Sequence, residues 1–127
     1  MSIFGIGTDI VSVDRIKNSL KNNNFLMRVF NEKEIIKCKK IKNSINCYAK
    51  RFAAKEAFSK ALGTGISSGI NFNEIVVLNK KSGKPYISFV GKTKKILNKK
   101  FQGKKSKVSL SLSDEKKYAV AFVTISI

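Results

Sequence analysis

The stretch that most limits what this chain can fold into is Arg51-Phe52-Ala53-Ala54-Lys55-Glu56-Ala57-Phe58-Ser59-Lys60-Ala61-Leu62-Gly63-Thr64-Gly65-Ile66. Ala, Leu, Lys and Glu are strong helix formers, and a glycine pair ends the run, with Gly63 where a C-terminal cap belongs. At 3.6 residues per turn, Ala54, Ala57, Phe58, Ala61 and Leu62 share one apolar face. Phe52, Glu56 and Lys60 recur at four-residue spacing on another. Small alanines let a neighbouring backbone come close, so Glu56 and Lys60 point together into whatever lies alongside. A single acid set among cations suits a metal ligand beside a phosphate. The order Glu then Lys four residues later is equally that of a surface ion pair, worth about 0.2–0.5 kcal/mol.

A second segment, far away in sequence, bears on the choice. Ile3-Phe4-Gly5-Ile6-Gly7-Thr8-Asp9-Ile10-Val11 reads as a buried strand, and glycines inside a strand often mark close backbone approach. Asp9 sits in an otherwise apolar run, and a buried carboxylate needs a partner or takes up a proton. The other reading of Asp9 is that it bonds backbone amides at the strand end or caps a following helix.

The remaining pattern predicts a single α+β domain over 1–127, with helices early and antiparallel strands late. The expected order is a strand at 2–8, a helix near 12–21 and a short helical turn from Phe25 to Val29. Asn31 then caps a helix to about Ile41, with Glu34 at the capping-box position. A break at 42–46 precedes the alanine-rich helix. Strands follow at 74–78 and 86–90 around a turn at 80–84, then a basic helix at 91–101. Alternating runs at 107–112 and 118–125 close the chain.

A formal net charge of +18 points to an anionic partner. Lysine, asparagine and isoleucine are all abundant, so an AT-rich coding bias is a second source of that charge. The N-terminal apolar run is short, is interrupted by Asp9 and lacks a basic leader, which excludes a signal peptide or membrane insertion. Cys38 and Cys47, with no CxxC and no histidine in the chain, predict reduced thiols in a cytoplasmic protein and no zinc site.

Together, Gly5-Ile6-Gly7-Thr8-Asp9-Ile10 and Phe52-Ala53-Ala54-Lys55-Glu56-Ala57-Phe58-Ser59-Lys60-Ala61 resemble the two signatures of the holo-[acyl-carrier-protein] synthases. These are the small AcpS-type branch of the 4′-phosphopantetheinyl transferases. Gly63-Thr64-Gly65-Ile66, Gly83-Lys84-Pro85-Tyr86 and Leu110-Ser111-Leu112-Ser113-Asp114 follow in the family's order. The resemblance covers nearly the whole chain. It implies an N-terminal strand and helices packed on an antiparallel sheet, assembled as a homotrimer with the coenzyme site between subunits.

The same resemblance implies a reaction: transfer of the phosphopantetheine arm of coenzyme A to a serine hydroxyl of apo acyl carrier protein, for fatty acid biosynthesis. By match to the family, Asp9 and Glu56 are ligands of Mg2+, or of Mn2+. Lys60 reaches the diphosphate, and Glu56 and Lys60 are the catalytic pair. Arg51, Lys55, Lys60, Gly63, Thr64, Gly65, Gly83, Lys84, Pro85 and Ser109 are expected to border coenzyme A. For Arg51 and Lys55 a solvated helix face is the plain alternative, for Gly63 to Gly65 simple helix termination, and for Gly83 to Pro85 a hairpin turn. Many family members carry a histidine at the position of Ser109. Lacking one, this chain is expected to pass the serine proton to Glu56 or to a metal-bound water. Arg15, Phe25 and Arg28 match the region that docks the acidic carrier, although the arginines also fit an ordinary surface.

Two other readings compete. A small basic nucleic-acid-binding protein is suggested by the charge and by Lys99-Lys100-Phe101 near Lys104-Lys105. It shows no RNP motif, zinc ligands or clear helix-turn-helix, and it leaves Asp9 and Glu56 without a role. A non-catalytic subunit that binds an acidic partner is the third.

Overall fold

The computed structural model describes residues 1–63 and 69–127. The elements run β1 (Ile3–Ser12), α1 (Val13–Ser19), α2 (Asn23–Val29), α3 (Glu32–Lys39) and α4 (Ser44–Leu62). A 3₁₀ turn (Phe72–Glu74), β2 (Ile75–Asn79), β3 (Pro85–Phe89), α5 (Gly91–Phe101), β4 (Lys107–Asp114) and β5 (Tyr118–Ser126) complete the described chain. One antiparallel sheet has the order β1-β5-β4; β2 and β3 form a separate antiparallel hairpin. The α+β architecture expected from the sequence is thereby borne out.

The alanine-rich helix is central. Ala49, Ala53, Ala54, Ala57, Phe58, Ala61 and Leu62 are all buried, so α4 is enclosed on most sides rather than amphipathic. Its C-terminus is the predicted one: Gly63 takes φ +85°, and its N–H donates to the carbonyls of Ser59 and Lys60. That left-handed geometry strains any residue with a Cβ.

β1 extends past the expected boundary, to Ser12, because Asp9, Ile10 and Val11 continue the pairing with Ala121, Val120 and Ala119 of β5. Ser12 then caps α1 by accepting from the Arg15 N–H. The Asn31–Glu34 capping box forms as expected. At the other end of the chain, β4 and β5 run slightly beyond the predicted limits, with Asp114 paired to Ala119 and Lys107 to Ser126.

β1, expected as a buried strand, is buried on one face only: Gly7 and Val11 are covered by the neighbouring helix, whereas Ile6 and Ile10 on the opposite face are exposed. Two further expectations are overturned. Cys38 and Cys47, expected to be reduced thiols, are joined as a disulfide between α3 and the first turn of α4. The short connection folds their Cα atoms to 5.5 Å, inside the bridging range, which an inference from cellular compartment does not see. Lys55 is the other. Its side chain is wholly buried, with Nζ 2.7 Å from Glu34 Oε1 and 2.7 Å from the Phe72 carbonyl. A further bond to the Ile75 carbonyl occupies its third N–H. An ammonium has three donors, so none remains for a nucleotide phosphate.

Among the described residues no helix is long and apolar enough to cross a membrane.

Candidate active site

The site is set by how closely β1 lies on α4. A Cβ placed on Gly5 would be 1.9 Å from the Ala61 carbonyl oxygen, and one on Gly7 1.9 Å from that of Ala57. Two strand residues advance about 6.6 Å and four helical residues about 6 Å, so the two ladders stay in step. Continuing the step carries Asp9, on the same strand face, to the turn of α4 that bears Glu56. Only glycine permits this contact, which explains the Gly-x-Gly preceding the acid.

Lys60 does not pair with Glu56 on its own helix. It reaches across to β1, where Nζ lies 3.0 Å from the Thr8 carbonyl and 3.3 Å from Asp9 Oδ1. The lysine side chain is 56% exposed and the aspartate 16%. A half-exposed pair of this kind adds little stability, so its value is in placing an ammonium at the mouth of the site. Asp9 therefore neither caps α1 nor stands alone.

Burial raises the pKa of Glu56, and the neighbouring charge of Asp9 raises it further. Lys60 and Arg15 pull in the opposite direction. Two carboxylates thus share one small region with two cations beside them. Among the described residues no group of three or more His, Cys, Asp or Glu side chains converges. The donor set is a pair of hard oxygens, which suits a hard dication completed by water and phosphate oxygens.

A cavity of about 330 Å³ opens beside Glu56, walled by Phe25, Arg28 and Val29 of α2, Phe52 of α4, and Ile70, Asn71 and Phe72. Arg28 and Phe25, singled out from the sequence, both border it. The ring of Phe25 packs at 6.0 Å from Phe52 and 6.2 Å from Phe30. Arg15 lies close enough to act on Glu56 electrostatically.

Arg51, Gly83 and Pro85 line a different cavity, of about 470 Å³, with Lys37, Lys50 and Asn79. Arg51 donates to Asn79 Oδ1 at 2.8 Å and contacts Cys47 Sγ at 3.2 Å. Its buried Nε has no hydrogen-bond partner among the described residues. Burial lowers the Arg51 pKa, while Glu34 opposes that shift. Lys84 is exposed on the same hairpin turn, where Gly83 takes φ +91°. Gly63 ends α4 below Lys60; Thr64 and Gly65 lie outside the described residues.

Ser109 is not brought to Asp9 within one chain. It aligns with Thr124 and Ile6 on the outward face of the sheet, whereas Asp9 aligns with Ala121 and Leu112 on the face toward α4. Sequence reasoning also missed Glu34, Glu74 and Asn71. Glu34 was visible only as a capping residue, yet it also accepts from Lys55 and from the Val77 N–H.

The sequence pattern of the 4′-phosphopantetheinyl transferase superfamily matches residues 5–123. The chain belongs to that superfamily. A holo-[acyl-carrier-protein] synthase of Pelagibacter ubique is 54% identical over 125 residues, covering 98% of each chain. Among solved transferases, the holo-[acyl-carrier-protein] synthase of Neisseria meningitidis superposes with a TM-score of 0.86 at 39% identity, covering 98% of this chain and 99% of that one. The Bacillus anthracis synthase, solved in complex with coenzyme A (3′,5′-ADP), gives 0.79 at 36% identity, covering 98% and 97%. The family resemblance carried by the Gly5–Ile10 and Phe52–Ala61 motifs is therefore borne out at the level of the whole transferase fold.

Proposed function

We propose that this protein transfers the 4′-phosphopantetheine arm of coenzyme A to a serine hydroxyl of apo acyl carrier protein, releasing 3′,5′-ADP. The observation that carries the reading is the placement of Asp9, Glu56 and Lys60 across the β1–α4 contact, in a chain similar along its full length to holo-[acyl-carrier-protein] synthases.

The residues divide the work. Glu56, whose carboxyl is raised by burial and by Asp9, is assigned the serine proton. Lys60 holds its ammonium beside Asp9 and offers it to the diphosphate. Asp9 and Glu56 would hold Mg2+, which when bound neutralises charge developing on the diphosphate oxygens. Arg51, Gly83 and Pro85 form the cationic cavity suited to the nucleotide end of the coenzyme. Phe25, Arg28 and Phe52 offer an apolar recess with a cation at its edge for the docking helix of an acidic carrier, and Arg15 adds a second cation nearby. Lys55 has no part in this set.

A homotrimer is supported by the outward face of the β1-β5-β4 sheet. There Ile6, Ile10, Tyr118 and Phe122 are exposed on paired strands, an apolar surface unusual for an isolated monomer. Ser109 lies on that face, so assembly would bring it to a neighbouring subunit's site.

The test is mass spectrometry of apo acyl carrier protein incubated with this protein, coenzyme A and Mg2+. The carrier should gain one phosphopantetheine, and the gain should vanish with EDTA or with Asp9→Ala. Failure of the folded, unsubstituted protein to modify any of several carriers sinks the proposal.

A further inference from the structure

Asn71 lies on the wall of the Glu56 cavity, just ahead of a 3₁₀ turn of three residues, and no helix or strand holds it there. Side-chain bonds do so instead. Its backbone N–H donates to Thr93 Oγ1 at 3.0 Å, and its Nδ2 donates to Glu74 Oε1 at 3.0 Å. The same carboxylate receives the Thr93 hydroxyl at 2.8 Å, the Thr93 N–H at 3.1 Å and, on Oε2, the Lys92 N–H at 3.0 Å. Glu74 is thus the cap of α5, supplied from 17 residues upstream of the helix start. Val90, at the helix's own N-cap position, has no side-chain cap bond.

The fit is built in. Gly91 takes φ +59°, and a Cβ there would fall 1.9 Å from Glu74 Oε2. Thr93 is fully buried, so its hydroxyl has no solvent alternative to Asn71 and Glu74. From the opposite side, Asn73 donates to the Met27 carbonyl at 3.3 Å and accepts from Asn31 at 3.1 Å. The cavity wall at 70–72 is therefore pinned to α5 by Glu74 and to α2 and α3 by Asn73.

We propose that Glu74 is a positioning residue for the acceptor substrate: through Asn71 and Thr93 it holds the Ile70–Phe72 wall in place opposite Phe25 and Arg28. This rests on the reading of that cavity as the carrier's docking recess. A carboxylate accepting from several donors at a helix N-terminus is a strong tether, and a preformed wall spares the carrier the cost of ordering it on binding. Neither Asp9 nor Lys60 bonds to this network, so coenzyme binding and the chemical step are expected to be independent of it.

Steady-state kinetics with apo carrier and coenzyme A, beside thermal unfolding, test this. Glu74→Gln places an amide donor against the surrounding N–H groups. Thr93→Val removes the shared hydroxyl at constant volume, and Thr93→Ser restores it. Glu74→Gln and Thr93→Val should raise the carrier's KM about tenfold, the scale of one lost hydrogen bond to a charged group. The kcat and the KM for coenzyme A should stay within about twofold, with Thr93→Ser close to the unsubstituted protein. Asn71→Ala, at an exposed position that does not threaten folding, should raise the carrier's KM in the same way. A loss of thermal stability with unchanged carrier KM overturns the proposal, as does a parallel rise in both KM values. An unchanged KM in Asn71→Ala overturns it even if the other variants do not fold. If the unsubstituted protein modifies no carrier, the transferase reading itself fails, and this inference fails with it.

Discussion

Gly7 and Ala57 touch backbone to backbone: a Cβ on Gly7 would stand 1.9 Å from the Ala57 carbonyl oxygen. The obstacle is main chain of a buried helix, which has no flexible end to swing away. Gly7→Ala must therefore push β1 off α4. A loss of about 1–3 kcal/mol in a urea titration is expected, the usual cost of overpacking. Asp9 lies two residues further along the displaced strand, so activity should fall by more than the folded fraction accounts for. Full specific activity in a folded Gly7→Ala protein would show that this contact does not set the site.

The buried Lys55–Glu34 pair makes a separate prediction. Lys55→Met leaves the buried Glu34 carboxyl without its ammonium partner, and a cost of about 3–5 kcal/mol is expected. Adding Glu34→Gln should recover part of that loss, because the two changes act on one interaction. Burial, against the pull of Glu34, lowers the Lys55 ammonium from 10.5 to about 8. Between those values the unfolded chain binds the extra proton, so stability rises with pH across that window. Denaturant titrations of the unsubstituted protein and Lys55→Met from pH 7.5 to 10 should diverge with that sign, a range chosen to straddle the value of about 8.

Glu56 should titrate above the usual carboxylate range in metal-free protein, since burial and then Asp9 raise its pKa. Arg15 opposes the shift, so Arg15→Ala should move the titration higher still. Carboxyl ¹³C shifts followed against pH measure this directly. Asp9 is the second cause of the upward shift, so Asp9→Asn should move the Glu56 titration back down. A Glu56 titration unmoved by either substitution would show that neither charge acts on this carboxyl.

Phe122 is 45% exposed at the centre of the outward sheet face, opposite Thr8 on β1 and Ser111 on β4. If that face is the subunit contact, Phe122→Asp should convert a trimer to monomers by light scattering and abolish most turnover. A fully active monomer would refute a site shared between subunits.

Much of this was legible along the chain. The helix ending at Gly63, the Asn31–Glu34 capping box, the hairpin turned by Gly83 and the alternating closing strands all depend on residues within a few positions of one another. Local propensity, capping and periodicity determine such features before any packing occurs. The Gly-x-Gly spacing and the alanine spacing each announced a close backbone approach, but that β1 and α4 approach one another was implied only by the family resemblance and is seen in the packing itself.

What the tertiary structure alone decided is which of several equivalent side chains faces which way. Lys55 and Lys60 stand five positions apart on one helix; one is consumed in the core by Glu34 and two carbonyls, the other is offered at the site beside Asp9. Cys38 meets Cys47 because α3 folds back on α4, and Glu74 caps a helix from beyond an intervening hairpin. Ser109 faces away from Asp9 because strand register, not composition, sets the face of a residue in a sheet. Each of these depends on bringing distant segments to within a few ångströms. A charge or thiol has no local signature for that, since its partner is chosen only when the elements pack.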